Sequence, residues 1–375
     1  MNKQELDLLN ILKKETYENQ RCLSEISGYS LGKVNTSLSE LVKRGYLHAD
    51  YRLTEQAEEL FEENRPEQAI ILAAGAGMRM IPINTEVSKG MLEVKGETLV
   101  ERLIKQLKEK GIHKITIVVG FMKEQYEYLI DEYGVELVYN KEYAVKNNLF
   151  SLAKVKDRLE NAYIVPCDLW CRKNPFSETE LYSWYMIDDT SDEDSTIRMN
   201  RKMELKAVGG AEDGNHMVGI AYINKESAGV LKQNISGMTE HRRYYNSFWE
   251  DAAMEKEKMI LFPKEVKKGE VLEINTLEQL RDLDENSDQL NSELLDIISD
   301  TLSCELREIT EIEPLKKGMT NRSFRFRCGE KRYIMRVPGE GTDKMINRSQ
   351  EYDVYQVIGP KAVSYTHLTL PTICS

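Results

Sequence analysis

The hydrophobic positions change their period along the chain, and the changes mark out three segments. Up to about residue 64 they recur every three or four residues in short runs, the period of amphipathic helices. Four helices are expected, at Glu5 to Lys14, Cys22 to Gly28, Leu31 to Lys43 and Glu55 to Glu63, with GYLHADYRLT forming a two-stranded ribbon before the last. In the third helix Val34, Leu38, Leu41 and Val42 share one side and leave Lys33, Asn35, Ser37 and Ser39 outward. From Pro66 to about Asp284 strands alternate with helices: QAIILAAG, a helix Leu99 to Lys110, KITIVVG, a helix Lys123 to Tyr133, VELVYN and NAYIVPCD. Such alternation predicts an α/β fold, a mostly parallel sheet covered by helices, with ligands beyond the carboxyl ends of its strands. The acidic run DDTSDEDS at 188–195 reads as a solvated loop. A third segment opens near Leu290 with a helix Ser292 to Ser303, the strand-like runs ITEIEPLKKG, NRSFRFRCGE and KRYIMRVPG, and a helix Ser349 to Ile358.

Composition narrows the class. At 375 residues, 41% hydrophobic and 30% charged, the chain suits two or three globular domains, not a disordered polymer. No run approaches the ~20 apolar residues of a membrane span, and the start MNKQELDLLNILKKE lacks a signal peptide's order, so a cytoplasmic location is expected. The six cysteines form no CxxC pair and read as reduced thiols; Cys167 and Cys171, with three residues between them, are a weak metal signal. The formal charge of -12 disfavours nucleic acid and anionic membrane as partners. Residues 1–64 resemble a winged helix-turn-helix domain of bacterial regulators, which implies DNA as a partner, or else a scaffold or dimerisation module. Nine Lys and Arg against twelve Asp and Glu over residues 1–65 give a net of -3, the wrong sign for gripping phosphates. A homodimer stays open.

The chemistry is concentrated after the first strand. Leu72-Ala73-Ala74-Gly75-Ala76-Gly77-Met78-Arg79 joins a strand to a glycine-rich loop, whose backbone N–H groups can face a triphosphate. Arg79 and, ten residues on, Lys89 add positive charge. Neither the P-loop pattern nor GxGxxG occurs in this stretch, which argues against ATP hydrolysis and hydride transfer. LAAGAGMRM-x-P followed by SKGMLEVKGETLVER resembles the nucleotidyltransferase family that joins nucleoside triphosphates to phosphorylated small molecules, whose pattern is LAAGxGxRxxPxT, then PKxLxxVxGxPL. Ser88 replaces the proline before its lysine. The resemblance implies a Rossmann-like mixed sheet over 66–285 and an in-line attack of a phosphate oxygen on the α-phosphorus, with pyrophosphate leaving. Leu72, Ala73, Ala74, Gly75 and Gly77 would bind the nucleotide, Lys89 would neutralise the substrate or α-phosphate, and Arg79 would hold the pyrophosphate. Magnesium is the implied cofactor, on Asp168 at the end of AYIVPCD and on a late acidic motif of the form EIDT. Here that motif reads Glu273-Ile274-Asn275-Thr276, so a neutral Asn275 stands where a carboxylate is expected and Glu273 has to compensate.

Asn140 and Lys146-Asn147-Asn148-Leu149-Phe150-Ser151-Leu152 resemble the subgroup that uses CTP and phosphocholine, implying nucleotide or metal contacts from Asn148 and Ser151. A quaternary ammonium carries a charge but no donor, so aromatic faces suit it. All three tryptophans fall between 170 and 249; Trp170 and Trp249 are the candidate walls, with Glu250 or Asp251 balancing the charge. KKGMTNRSFRF, YIMRVPGEGT and INRSQEYDVYQVI resemble the amino-terminal lobe of the choline and aminoglycoside kinase family over 290–362. There Gly318 to Ser323 would cover ATP phosphates and Arg336 would pair with Glu351. The lobe that carries the kinase catalytic groups is missing from this reading, so no phosphorylation is expected. VSYTHLTLPT resembles a translated sequencing adapter, and residues 363–375 are set aside as an artefact. Other readings of the central segment are transfer to a sugar 1-phosphate or an aminoalkyl phosphonate, and a transcriptional regulator whose nucleotidyltransferase domain only senses ligand.

Overall fold

The computed structural model describes residues 1–14, 17–193, 195–208, 213–255, 259–287, 290, 292–315, 321–338 and 366–369. The chain opens with α1 (Lys3–Lys14), α2 (Gln20–Ser27), α3 (Leu31–Lys43) and α4 (Glu55–Glu63). Then come β1 (Gln68–Ala73), the short hairpin β2 (Glu93–Val94) and β3 (Glu97–Thr98), α5 (Leu99–Glu109), β4 (Lys114–Val119), α6 (Tyr128–Tyr133) and β5 (Glu136–Tyr139). They are followed by α7 (Asn148–Ala153), β6 (Ala162–Pro166), β7 (Leu169–Cys171), β8 (Trp184–Asp192), β9 (Ile197–Met199), β10 (Leu205–Ala207) and β11 (Gly214–Ile223). Next are α8 (Lys225–Thr239), α9 (Trp249–Met254), β12 (Phe262–Val266), β13 (Val271–Glu273), α10 (Leu277–Leu283) and α11 (Glu293–Leu302). The remaining strands are β14 (Ile309–Pro314), β15 (Asn321–Cys328), β16 (Lys331–Pro338) and β17 (Thr366–Thr369).

Two compact units result. One comprises residues 1–75 and 100–273, the other 76–99 and 274–375. The first is built on a seven-stranded sheet ordered β12-β8-β11-β6-β1-β4-β5. Its β6-β1-β4-β5 half is parallel, as the alternating pattern predicts, while β11 runs antiparallel to both neighbours and makes the sheet mixed. Ile70, Ile71, Ile117, Val118, Ile164 and Val165 are fully buried, the signature of strands covered on both faces.

The same unit holds the four N-terminal helices. Their core of Leu8, Leu9, Leu23, Val34, Leu38, Leu41, Leu47 and Phe61 is completed by Leu181, from the segment that leads into β8. Beside it Asp7 accepts hydrogen bonds from the hydroxyls of Tyr29 and, at 2.6 Å, Tyr182. The Lys3 ammonium lies 5.2 Å from the Tyr182 ring centre. These contacts tie the helical segment to the sheet segment.

Several expectations are corrected. Ser37 is buried, because position 37 lies between Val34 and Leu41 on the inward side of α3. GYLHADYRLT forms one antiparallel bridge, Leu47 to Leu53, in place of a two-stranded ribbon, since the chain turns tightly with Tyr51 at a φ of 63°. Lys123–Tyr133 is a 3₁₀ turn, Lys123–Tyr126, followed by α6. The acidic run is strand and not loop over Asp188 to Asp192, which continue β8, and Asp188 is buried, while Asp189, Ser191 and Glu193 are exposed as expected. The Asp188 carboxylate accepts from the Thr190 N–H at 2.8 Å, and His216 Nδ1 lies 2.9 Å away.

In the second unit α10 begins at a capping box between Thr276 and Gln279, and Ser292 caps α11. β14, β15, β16 and β17 form a sheet in that order, with Phe324, Phe326 and Met335 buried. The three strand-like runs therefore pair as one sheet. β17 lies within the segment set aside as an artefact, and its backbone runs parallel to β16. Gly318 to Thr320, the helix Ser349 to Ile358 and Glu351 lie outside the described residues, as does the Arg336 side chain. No helix among the described residues is long and apolar enough to cross a membrane.

Candidate active site

The glycine loop begins where β1 ends. The Leu72 carbonyl accepts from the Cys167 N–H at 3.2 Å, which fixes the residue before Asp168 against the end of β1. The Ala74 carbonyl accepts from the Phe121 N–H at 3.1 Å. Gly120 permits that approach, because a Cβ on it would stand 2.6 Å from the Ala74 oxygen. Leu72, Ala73 and Ala74 are thus held by backbone bonds, and Gly75 is exposed.

The second unit carries the rest of the loop. The buried Asn84 donates its amide to the Ala76 carbonyl at 3.1 Å. Gly77 has a left-handed backbone, φ 56° and ψ 41°, which suits glycine. A Cβ on Gly77 would lie 3.4 Å from the Lys89 Cβ, so the lysine stem runs directly along the loop. Lys89 Nζ donates to Asn275 Oδ1 at 2.6 Å. Arg79 sits exposed in the 3₁₀ turn Met78–Met80. Gly77 and Lys89, twelve positions apart in the motif, thus pack directly on each other within the second unit.

The carboxylates belong to the first unit. β7 and β13 pair antiparallel with Leu169 opposite Glu273 and Trp170 opposite Leu272. Asp168 immediately precedes Leu169, so Asp168 and Glu273 lie at the same end of this ribbon. Magnesium takes hard oxygen ligands, commonly one or two carboxylates together with substrate phosphates, and Asp168 and Glu273 are side chains of that chemical kind. Among the described residues no group of three or more His, Cys, Asp or Glu is placed to hold a metal. Asn275, the third residue expected at the metal, belongs to the second unit, where its oxygen accepts from the Lys89 ammonium.

Trp170 is buried, and the Arg102 guanidinium lies 4.0 Å from its ring centre. Arg102 also donates to the Cys171 carbonyl from Nε at 2.9 Å and Nη2 at 2.7 Å, clamping the end of β7.

Asn148, Ser151, Trp249 and Glu250 are also brought together in the first unit. Asn148 Oδ1 accepts from the Trp249 N–H at 2.8 Å, and Ser151 Oγ from Asn140 Nδ2 at 3.0 Å. Both side chains, expected at the nucleotide, are thus used in holding the segment around α7 and α9. Trp249 is buried with its ring 5.9 Å from that of Tyr185. Tyr185 donates its hydroxyl to Glu250 Oε1 at 3.1 Å, while Glu250 Oε2 has no hydrogen-bond partner among the described residues. Burial pushes the Glu250 carboxyl up to about 7. Nearby, Lys146 Nζ lies 4.5 Å from the ring centre of Phe150 and 4.6 Å from that of Tyr245. Phe150 and Tyr245 thus already carry a cation of the protein's own, as Trp170 carries Arg102.

Residues 69–179 match the family described as the MobA-like NTP transferase domain. A choline-phosphate cytidylyltransferase of Streptococcus pneumoniae is 31% identical over 223 residues, covering 58% of this chain and 97% of that protein. The chain belongs to its family. A 2-aminoethylphosphonate cytidylyltransferase of Lancefieldella rimae is 30% identical over 198 residues, 49% of this chain and 77% of that protein. In structure, the CTP:phosphocholine cytidylyltransferase from Streptococcus pneumoniae superposes with a TM-score of 0.54 at 30% identity, covering 59% of this chain and 98% of that one. The chain is accordingly a nucleotidyltransferase of the cytidylyltransferase group.

Sequence reasoning missed Arg102, Gly120 and Asn84. Arg102 stands inside the quoted run GETLVER and Gly120 ends KITIVVG, but nothing in either run says which carbonyl the arginine clamps or which oxygen approaches the glycine.

Proposed function

We propose that the protein transfers a cytidylyl group from CTP to phosphocholine, giving CDP-choline and pyrophosphate. The observation that carries this reading is the packing of the Lys89 stem on Gly77, which joins the two halves of the family motif into one phosphate cradle. Backbone N–H groups from Leu72 to Gly77 hold the triphosphate, Lys89 neutralises the charge that builds at the α-phosphate, and Arg79 takes the leaving pyrophosphate. Asp168 and Glu273 hold magnesium. When bound, the ion draws charge from the phosphate oxygens and screens the two anionic reactants from each other. Glu250, buried with one oxygen unpartnered, supplies a countercharge for the acceptor's ammonium group. The 31% identity to a choline-phosphate enzyme favours phosphocholine over a sugar 1-phosphate.

We read residues 1–64 as a winged helix that serves as a docked module, since the net charge of -3 over residues 1–65 disfavours DNA. Residues 290–362 read as part of a kinase-like lobe.

The deciding measurement is pyrophosphate release from CTP and magnesium with phosphocholine, 2-aminoethylphosphonate or glucose 1-phosphate as acceptor. Fastest release with phosphocholine is expected. Preference for the phosphonate would reassign the acceptor, and no release with any of the three would overturn the enzyme reading.

A further inference from the structure

We propose that Asn275 is a positioning residue for Lys89 and not a magnesium ligand. The proposal rests on the cytidylyl-transfer reading for the role of Lys89, but its geometry stands within one compact unit. Lys89 Nζ donates to Asn275 Oδ1 at 2.6 Å, a short charge-assisted bond. An oxygen that faces an ammonium group is a poor donor to a dication, because the two positive charges repel.

The rest of the residue is built to hold that oxygen still. Asn275 is 8% exposed. Its N–H donates to Gln279 Oε1 at 2.6 Å, and the same oxygen accepts from the Thr276 N–H at 3.1 Å in the box that starts α10. The lysine stem is confined at its other end by Gly77, where there is no side chain to push it away. Lys89 thus spans from the glycine loop to the start of α10, fixed at both ends. The amide also explains the departure from the acidic motif. A carboxylate at 275 would add a negative charge beside the ammonium, whereas a neutral amide accepts the same hydrogen bond and orients the ammonium without adding one.

The test uses the full chain with Asn275→Ala and Asn275→Asp. CTP affinity is measured by calorimetry without divalent metal, and Mn²⁺ affinity by electron paramagnetic resonance. Asn275→Ala is expected to weaken metal-free CTP binding about tenfold while Mn²⁺ affinity stays within about twofold. Asn275→Asp is expected to weaken metal-free CTP binding at least as much. Unchanged CTP affinity in Asn275→Ala, or a tenfold loss of Mn²⁺ affinity, would overturn the proposal. So would Asn275→Asp binding Mn²⁺ more tightly with undiminished CTP affinity. If Asn275→Ala does not fold, Asn275→Ser, whose hydroxyl is too short to reach Nζ, replaces it under the same criteria. Neither readout needs an acceptor, so an absence of pyrophosphate release would count against the proposed reaction alone.

Discussion

Two side chains make the sharpest claims at the scale of single residues. In the proposed transfer Lys89 meets the charge that develops at the α-phosphate, so Lys89→Ala should lower kcat by about 10²- to 10³-fold, the usual cost of losing one preorganised charge-stabilising donor. A loss confined to KM would show instead that the lysine only binds ground-state nucleotide. Glu250 makes a claim about pH. Its carboxyl is raised to about 7 in the folded chain from an ordinary value near 4.5, so the fold holds the proton more tightly than the unfolded chain does. Stability should then fall as pH rises from about 4.5 to about 7 and level off above. Glu250→Gln should flatten that slope in thermal melts, and an unchanged slope would remove Glu250 as its source. The lysine was legible in its motif; the burial of Glu250 was not, because a Trp-Glu-Asp run reads equally well as an exposed helix start.

At the scale of elements, the strand ends do the positioning. β1, β4 and β6 were readable because strands buried on both faces are apolar throughout, and Ala73 and Asp168 follow at or near their carboxyl ends. What aligns those ends was hidden. Gly120 lets Phe121 bond the Ala74 carbonyl, and its substitution forces that carbonyl away from the start of the loop. Gly120→Ala should therefore cost about 1–3 kcal/mol in denaturant unfolding, the range for overpacking, and also raise KM for CTP. The ribbon of β7 and β13 was hidden for a different reason. It pairs residues about 100 positions apart by a register of three residues, too short to leave a periodic trace.

For the whole molecule, the N-terminal helices share a core with the segment that leads into β8. Leu181 completes their core, and Asp7 accepts from both Tyr29 and Tyr182. Asp7→Ala strands two tyrosine hydroxyls and should cost about 1–3 kcal/mol, read as a lower melting temperature with a single transition. A variant with unchanged melting would mean that the two segments do not share stability. The charge of -3 over residues 1–65 was readable and bears on DNA, but the dependence of that segment on Leu181 was not. The sequence by itself determined the α/β class, the phosphate-binding loop with its lysine, and the break between helical and alternating patterns, because burial and backbone constraints act on neighbouring residues and leave a local period. Only the tertiary structure decided which carbonyl each buried donor reaches, that Asp188 is covered and that Asn275 holds Lys89. These are meetings of residues far apart in the chain, and their energetics depend on distance and burial, which no local pattern records.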